Sequence, residues 1–75
     1  MKLYWVTFVE PGIGCGVTAI DEHDCQRLVE SNSFSAARSI ESIIEITNFE
    51  EIDQNHVVPN MGDLLARGFW FPNGV

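Results

Sequence analysis

Seventy-five residues make one domain, residues 1–75, with a marginal core, since so short a chain buries only about 60% of the surface its unfolded form exposes. A hydrophobic content of 45% excludes a disordered tail, and eleven Asp and Glu against four Lys and Arg give a net charge of −7. The cations Lys2, Arg27, Arg38 and Arg67 are too scattered to build a basic patch, which excludes direct nucleic-acid binding and docking on an anionic membrane.

The chain opens with MKLYWVTFVEPG, a cation followed by a mostly apolar run. It lacks a small-residue cleavage site and stops at Glu10-Pro11, so it reads as a strand rather than a signal peptide. No stretch approaches the roughly 20 apolar residues of a membrane span. The cytoplasm is therefore the expected location, with Cys15 and Cys25 as thiols.

Leu3 to Val9 is apolar on both faces, with Leu3, Trp5 and Val9 on one and Tyr4, Val6 and Phe8 on the other. That pattern predicts a central strand covered on both sides. Pro11-Gly12 suits a type II turn, after which Cys15 to Ile20 returns as the second strand of a hairpin. Asp21 then predicts a helix N-cap, with Asp24 in the capping-box position and Ile20 and Cys25 in the staple positions. Cys25, Leu28 and Val29 form the apolar stripe of that helix, and Ser31-Asn32-Ser33 ends it.

Residues 34 to 47 fit a helix by period and a strand by β-branched density; a short turn near 34–38 and a strand over about 41–47 is the preferred reading. NFEEIDQNH is an acidic polar loop. Asn60 could cap a single helical turn ending at Gly68, although an extended course is also open. Phe69-Trp70-Phe71 is the last strand, stopped by Pro72-Asn73-Gly74. The predicted fold is α+β: a small, mostly antiparallel sheet with one main helix on one face and the order ββαββ, as in a β-grasp.

Side chains alternate across a strand, so the three rings of Phe69-Trp70-Phe71 cannot share one face. With a single helix covering a single face, the surplus aromatics are expected on a second, partner-facing surface. In the competing arrangement, residues 48 to 58 fold over and hide them.

Cys15, His23, Cys25 and His56 are zinc-type ligands, yet their spacing matches no usual clamp. Cys15 as a nucleophile would need a cationic environment, whereas His23 sits among Asp21, Glu22 and Asp24. Gly12-x-Gly14-x-Gly16 follows a strand but precedes neither a helix nor a lysine, so a hairpin loop explains it better than phosphate binding. The paired carboxylates, Glu41 with Glu45 and Glu50 with Glu51 and Asp53, read as a solvated acidic edge.

The tail HVVPNMG…RGFWFP, together with the GVTAIDEHD junction, resembles a family of small bacterial proteins of unassigned function. The resemblance spans roughly residues 15–30 and 52–73, and its motifs imply a compact fold and no particular activity.

The expected function is a non-enzymatic, acidic protein-interaction module of the inhibitor, immunity or antitoxin kind, with no cofactor or metal. Tyr4, Trp5, Trp70 and Phe71 are the expected apolar contacts, with Glu45, Glu50, Glu51 and Asp53 as the rim. The partner is another protein, for which a basic one is electrostatically suited, or a second copy in a homodimer. The alternatives are a nucleic-acid mimic that occupies a basic groove, and a metal- or thiol-dependent enzyme using Cys15, Cys25 and His23.

Overall fold

In the computed structural model, which describes all residues from Met1 to Val75, the doubly apolar first segment becomes β1, Lys2–Phe8. It lies between β2, Cys15–Ala19, and β3, Ile40–Ile46, and is antiparallel to both. β4, Gly68–Phe71, adds antiparallel to β2, which gives the sheet order β3-β1-β2-β4. The α+β class and the ββαββ element order are as the sequence predicts. The likeness to a β-grasp stops there, because β4 is an edge strand here and not the central parallel neighbour of β1.

Helix α1, Glu22–Ser31, starts as its sequence dictates. The Asp21 carboxylate accepts the Asp24 N–H at 2.8 Å, and the Asp24 carboxylate accepts the Ile20 N–H at 3.0 Å. This reciprocal pair satisfies donors that the first turn leaves open. The hydrophobic staple is not formed: Cys25 is fully buried, but Ile20 is 62% exposed. At the other end the buried Ser35 hydroxyl donates to the Val29 carbonyl at 2.6 Å, which holds the turn over residues 33–37 against the helix. The ambiguous stretch thus resolves into that turn followed by a strand.

Two hydrophobic clusters lie on opposite faces of the sheet. Tyr4, Val6, Phe8, Cys15, Val17 and Ala19 meet Cys25 and Val29 of α1 on the first. On the second, Ile46, Ile52, Val57, Trp70 and Phe71 gather, with Leu3 and Trp5 packed against them. The chain from residue 47 to 67 supplies this second cover because it must travel from the β3 edge to the β4 edge. Strands lie about 4.8 Å apart, so the connection crosses three inter-strand gaps, and the face opposite α1 is the one left open to it.

That crossing segment contains two single turns of 3-10 helix, Phe49–Glu51 and Val58–Asn60. Asn48 and Glu51 form a capping box around the first. Asn60 does not start a helix; it closes the second turn, and its side-chain amide donates to the His56 carbonyl at 2.9 Å. Residues 61–67 contain no helix; they run irregularly, with a turn and bend over 64–67, so neither the helical turn nor a fully extended course describes them.

Candidate functional site

The second sheet face is where sequence reasoning expected a partner surface, and there the structure corrects it. Trp70 is fully buried and Phe71 is 6% exposed. Neither ring is available to a partner, and the covering segment is the reason. Tyr4 is also buried, but under α1 on the first face, where burial raises its hydroxyl pKa.

The ring distribution depends on a break in strand register. Gly16 pairs with Phe71 and Val17 with Phe69, which leaves Trp70 as an extra, bulged residue. A bulge interrupts alternation, so Trp70 and Phe71 join the second cluster while Phe69 packs against the first. Simple alternation would instead have paired Phe69 with Phe71.

The glycines of GIGCG take their meaning from the two tryptophans. A Cβ on Gly16 would come within 2.4 Å of the Trp70 six-membered ring. A Cβ on Gly14 would strike the Val6 carbonyl and lie 3.1 Å from Trp5 Nε1. The strand is stripped of side chains where indoles lie across it, an arrangement in which aromatics shield strand glycines. The rings of Trp5 and Trp70 are 6.2 Å apart and tilted by 43°, and Phe71 stands 5.7 Å from Trp5. Trp70 Nε1 is the one buried side-chain polar atom without a hydrogen-bond partner.

Three polar ties hold the covering segment down. The Gly62 N–H donates to the Trp70 carbonyl at 2.6 Å, and the Thr18 hydroxyl donates to the Leu64 carbonyl at 2.7 Å. Arg67 closes the third by donating from Nε and Nη2 to the two oxygens of Asp24, at 2.9 and 2.5 Å. Asp24 is thus helix cap and anchor at once. Arg67 and the Ile20 N–H hold its carboxyl well below the usual carboxylate range.

The cover is incomplete. Between it and the sheet lies a cleft of about 290 Å³, lined by Trp5, Ile13, Ile46, Ile52 and Val57. Glu51 and Asp53 stand at its rim. Ile44, opposite Trp5 on β3, is 56% exposed, and Ile13 is 47% exposed. Of the expected contact residues, Trp5, Glu51 and Asp53 therefore converge. Glu50 is exposed on the same 3-10 turn as Glu51. Glu45 does not join them, since it pairs with Tyr4 across the strands and its side chain reaches Lys2, 4.0 Å away.

The rim carboxylates are ordered by their own loops. Glu51 Oε1 accepts the backbone N–H groups of Thr47 and Asn48 at 2.9 and 2.8 Å. Asp53 Oδ1 accepts those of Asn55 and His56, and Asp53 Oδ2 faces His56 Nδ1 at 3.1 Å. These hydrogen bonds hold both carboxyls below their ordinary pKa, so both are ionised at neutral pH. Ile13, Ile46, Ile52 and Val57 had no place in the expected site. For Ile52 and Val57 the signal was the length of the 47–67 connection, which has to cross the sheet.

The thiols offer no comparable chemistry. Cys15 and Cys25 are unbridged and fully buried in the first cluster, and burial pushes both up to about 12. That is opposite to the depression a nucleophilic cysteine needs. No three His, Cys, Asp or Glu side chains gather as a metal site. No helix is long and apolar enough to cross a membrane.

No protein-family model, curated protein or solved structure matches this chain.

Proposed function

We propose that this chain is a non-enzymatic protein-interaction module that docks a partner through the incompletely covered second face of its sheet. The observation that carries this reading is the cleft beside Trp5, apolar in its walls and acidic at its rim, next to the exposed Ile44 and Ile13. Interfaces combine a partly apolar centre, often with an aromatic anchor, and a polar rim. The net charge of −7 favours a basic partner and would speed the encounter.

The site differs from the one expected from sequence in its anchor. Trp5 takes the part given to Trp70 and Phe71, which support the cleft from beneath as core. Glu51 and Asp53 remain the rim, with Glu50 exposed on the same 3-10 turn.

A photo-crosslinking residue at position 13, compared with one at the exposed Gln26 of α1, tests the reading in native lysate. A discrete protein adduct from position 13, absent from position 26, is the expected result. Identical adducts from both positions, or none from position 13, would refute docking at this face. An adduct with a second copy of the chain would identify the partner as itself.

A further inference from the structure

The charges around the cleft indicate what part of a partner it receives. All four cationic side chains of the protein are engaged elsewhere. Lys2 lies 4.0 Å from Glu45, and Arg27 and Arg67 both approach Asp24. Arg38 lies over the Phe8 ring at 4.2 Å and donates to the Ile13 carbonyl at 3.2 Å. None forms an ion pair with Glu51 or Asp53.

Glu51 puts its hydrogen bonds on one oxygen only. Oε1 accepts from the Thr47 and Asn48 backbone and from the Thr47 hydroxyl, while Oε2 makes no hydrogen bond within the chain. The capping role fixes the carboxylate in place and leaves one oxygen as a free acceptor. Asp53 adds a second negative charge, held by the Asn55 and His56 N–H groups and the His56 ring and by no lysine or arginine. Below these carboxylates lie the Trp5 ring and the aliphatic walls of Ile46, Ile52 and Val57.

We propose that the cleft receives a single basic side chain from the partner protein, arginine in preference to lysine, with its stem on Trp5 and Ile52 and its guanidinium on Glu51. This rests on the docking reading above and assigns the partner's determinant. A volume of about 290 Å³ is ample for one long side chain and lies at the lower end of the range for small-molecule sites. Guanidinium is planar, stacks on indole and donates to carboxylate, whereas an ammonium is a compact, strongly hydrated point charge. The apolar walls take the methylene stem that such side chains bury while their head stays at the wet rim.

The probe is a capped peptide with one arginine flanked by isoleucines, titrated against the ¹⁵N-labelled protein. The matched control replaces arginine with citrulline, a neutral near-isostere. The two indole N–H signals provide an internal comparison, because Trp5 lines the cleft and Trp70 is buried behind it. Saturable movement of the Trp5 signal with a static Trp70 signal is expected. Citrulline should weaken binding about tenfold or more, as should Glu51→Gln, since losing a charge-assisted hydrogen bond has that effect. Glutamine keeps an oxygen for the Thr47 and Asn48 cap, and the citrulline arm requires no folded variant. Equal binding of both peptides would overturn the arginine assignment while leaving an apolar docking face intact. Movement of neither indole at millimolar peptide would also overturn the assignment, with the crosslink from position 13 deciding the docking reading separately.

Discussion

On one face of the sheet a ten-residue helix closes Cys25 and Val29 over Tyr4, Val6, Cys15, Val17 and Ala19; on the other, a connection with two single 3-10 turns lies over Trp5, Trp70 and Phe71. A helix satisfies its own backbone and presents a continuous apolar stripe, so small and β-branched residues beneath it can pack without gaps. The connecting segment draws many of its internal hydrogen bonds from side chains such as Glu51 and Asp53, and Gly62, Thr18 and Arg67 tie it to the rest of the fold. Large indoles laid across glycines fill the space that an irregular cover leaves. The face closed this way retains a cleft and an unpartnered indole donor, and the helix-covered face does not. Function is proposed where the closure is looser, as expected of surfaces drawn from the less rigid part of a fold.

The sharpest way to break this contrast is at Trp70. Trp70→Ala should cost about 3–5 kcal/mol, most or all of the stability of a domain this size, and give global unfolding by circular dichroism and urea titration. Were Trp70 a partner contact, the variant would stay folded and lose only association. Trp70→Phe should be milder, because it also removes the indole N–H that finds no acceptor. Gly16→Val is expected to match Trp70→Ala in severity, since its side chain would occupy the site of the Trp70 ring.

Val17→Ala beneath the helix should cost about 2 kcal/mol, measured as a lower urea midpoint with an unchanged slope. By contrast Ile44→Ser, on the open part of the other face, should change stability by no more than about 0.5 kcal/mol. A large loss at Ile44 would mean that the second face is more closed than described.

The Asp24–Arg67 pair joins the two regions and gives them a shared acid sensitivity. The folded pKa of Asp24 is depressed, so its contribution is fully present above the unfolded value of about 3.9. That contribution is lost as pH falls through the folded value, and Glu51 and Asp53, also depressed, add in the same direction. Unfolding midpoints measured at falling pH should therefore drop below about pH 4, with Asp24→Asn less stable at neutral pH and its pH slope flattened. The smallest readout is thiol reactivity. Cys15 and Cys25 should react with an aromatic disulfide reagent only on opening of the helix-covered face, so Val17→Ala should accelerate labelling and Ile44→Ser should not.

The helix-covered face was legible in the sequence because local signals agree there. The Asp21–Asp24 capping pair, the Cys25–Leu28–Val29 stripe and the alternation of Tyr4, Val6 and Phe8 all specify the same arrangement. The second face depends on facts that no short window carries. β4 pairs with β2 at the edge far from β3, and only that pairing sends residues 47–67 across the sheet. A bulge at Trp70 then overrides the alternation from which the ring directions had been read. A hairpin loop accounts for the glycine spacing of GIGCG, and the use of Gly14 and Gly16 beneath two tryptophans emerges only from the tertiary contacts. Of the proposed site, the rim residues Glu51 and Asp53 and the anchor Trp5 were visible beforehand. The walls supplied by Ile46, Ile52 and Val57 were not.

The central claim is that residues 47–67 close the second face over Trp70 and leave Trp5 beside an open cleft. Hydrogen exchange of the two indole N–H groups, followed by NMR after transfer to deuterated solvent and assigned with Trp5→Phe, tests it most directly. The account predicts that the Trp70 signal persists long after the Trp5 signal has gone. Loss of both signals at the same fast rate would contradict it, because Trp70 would then lie on a face that the connecting segment does not close.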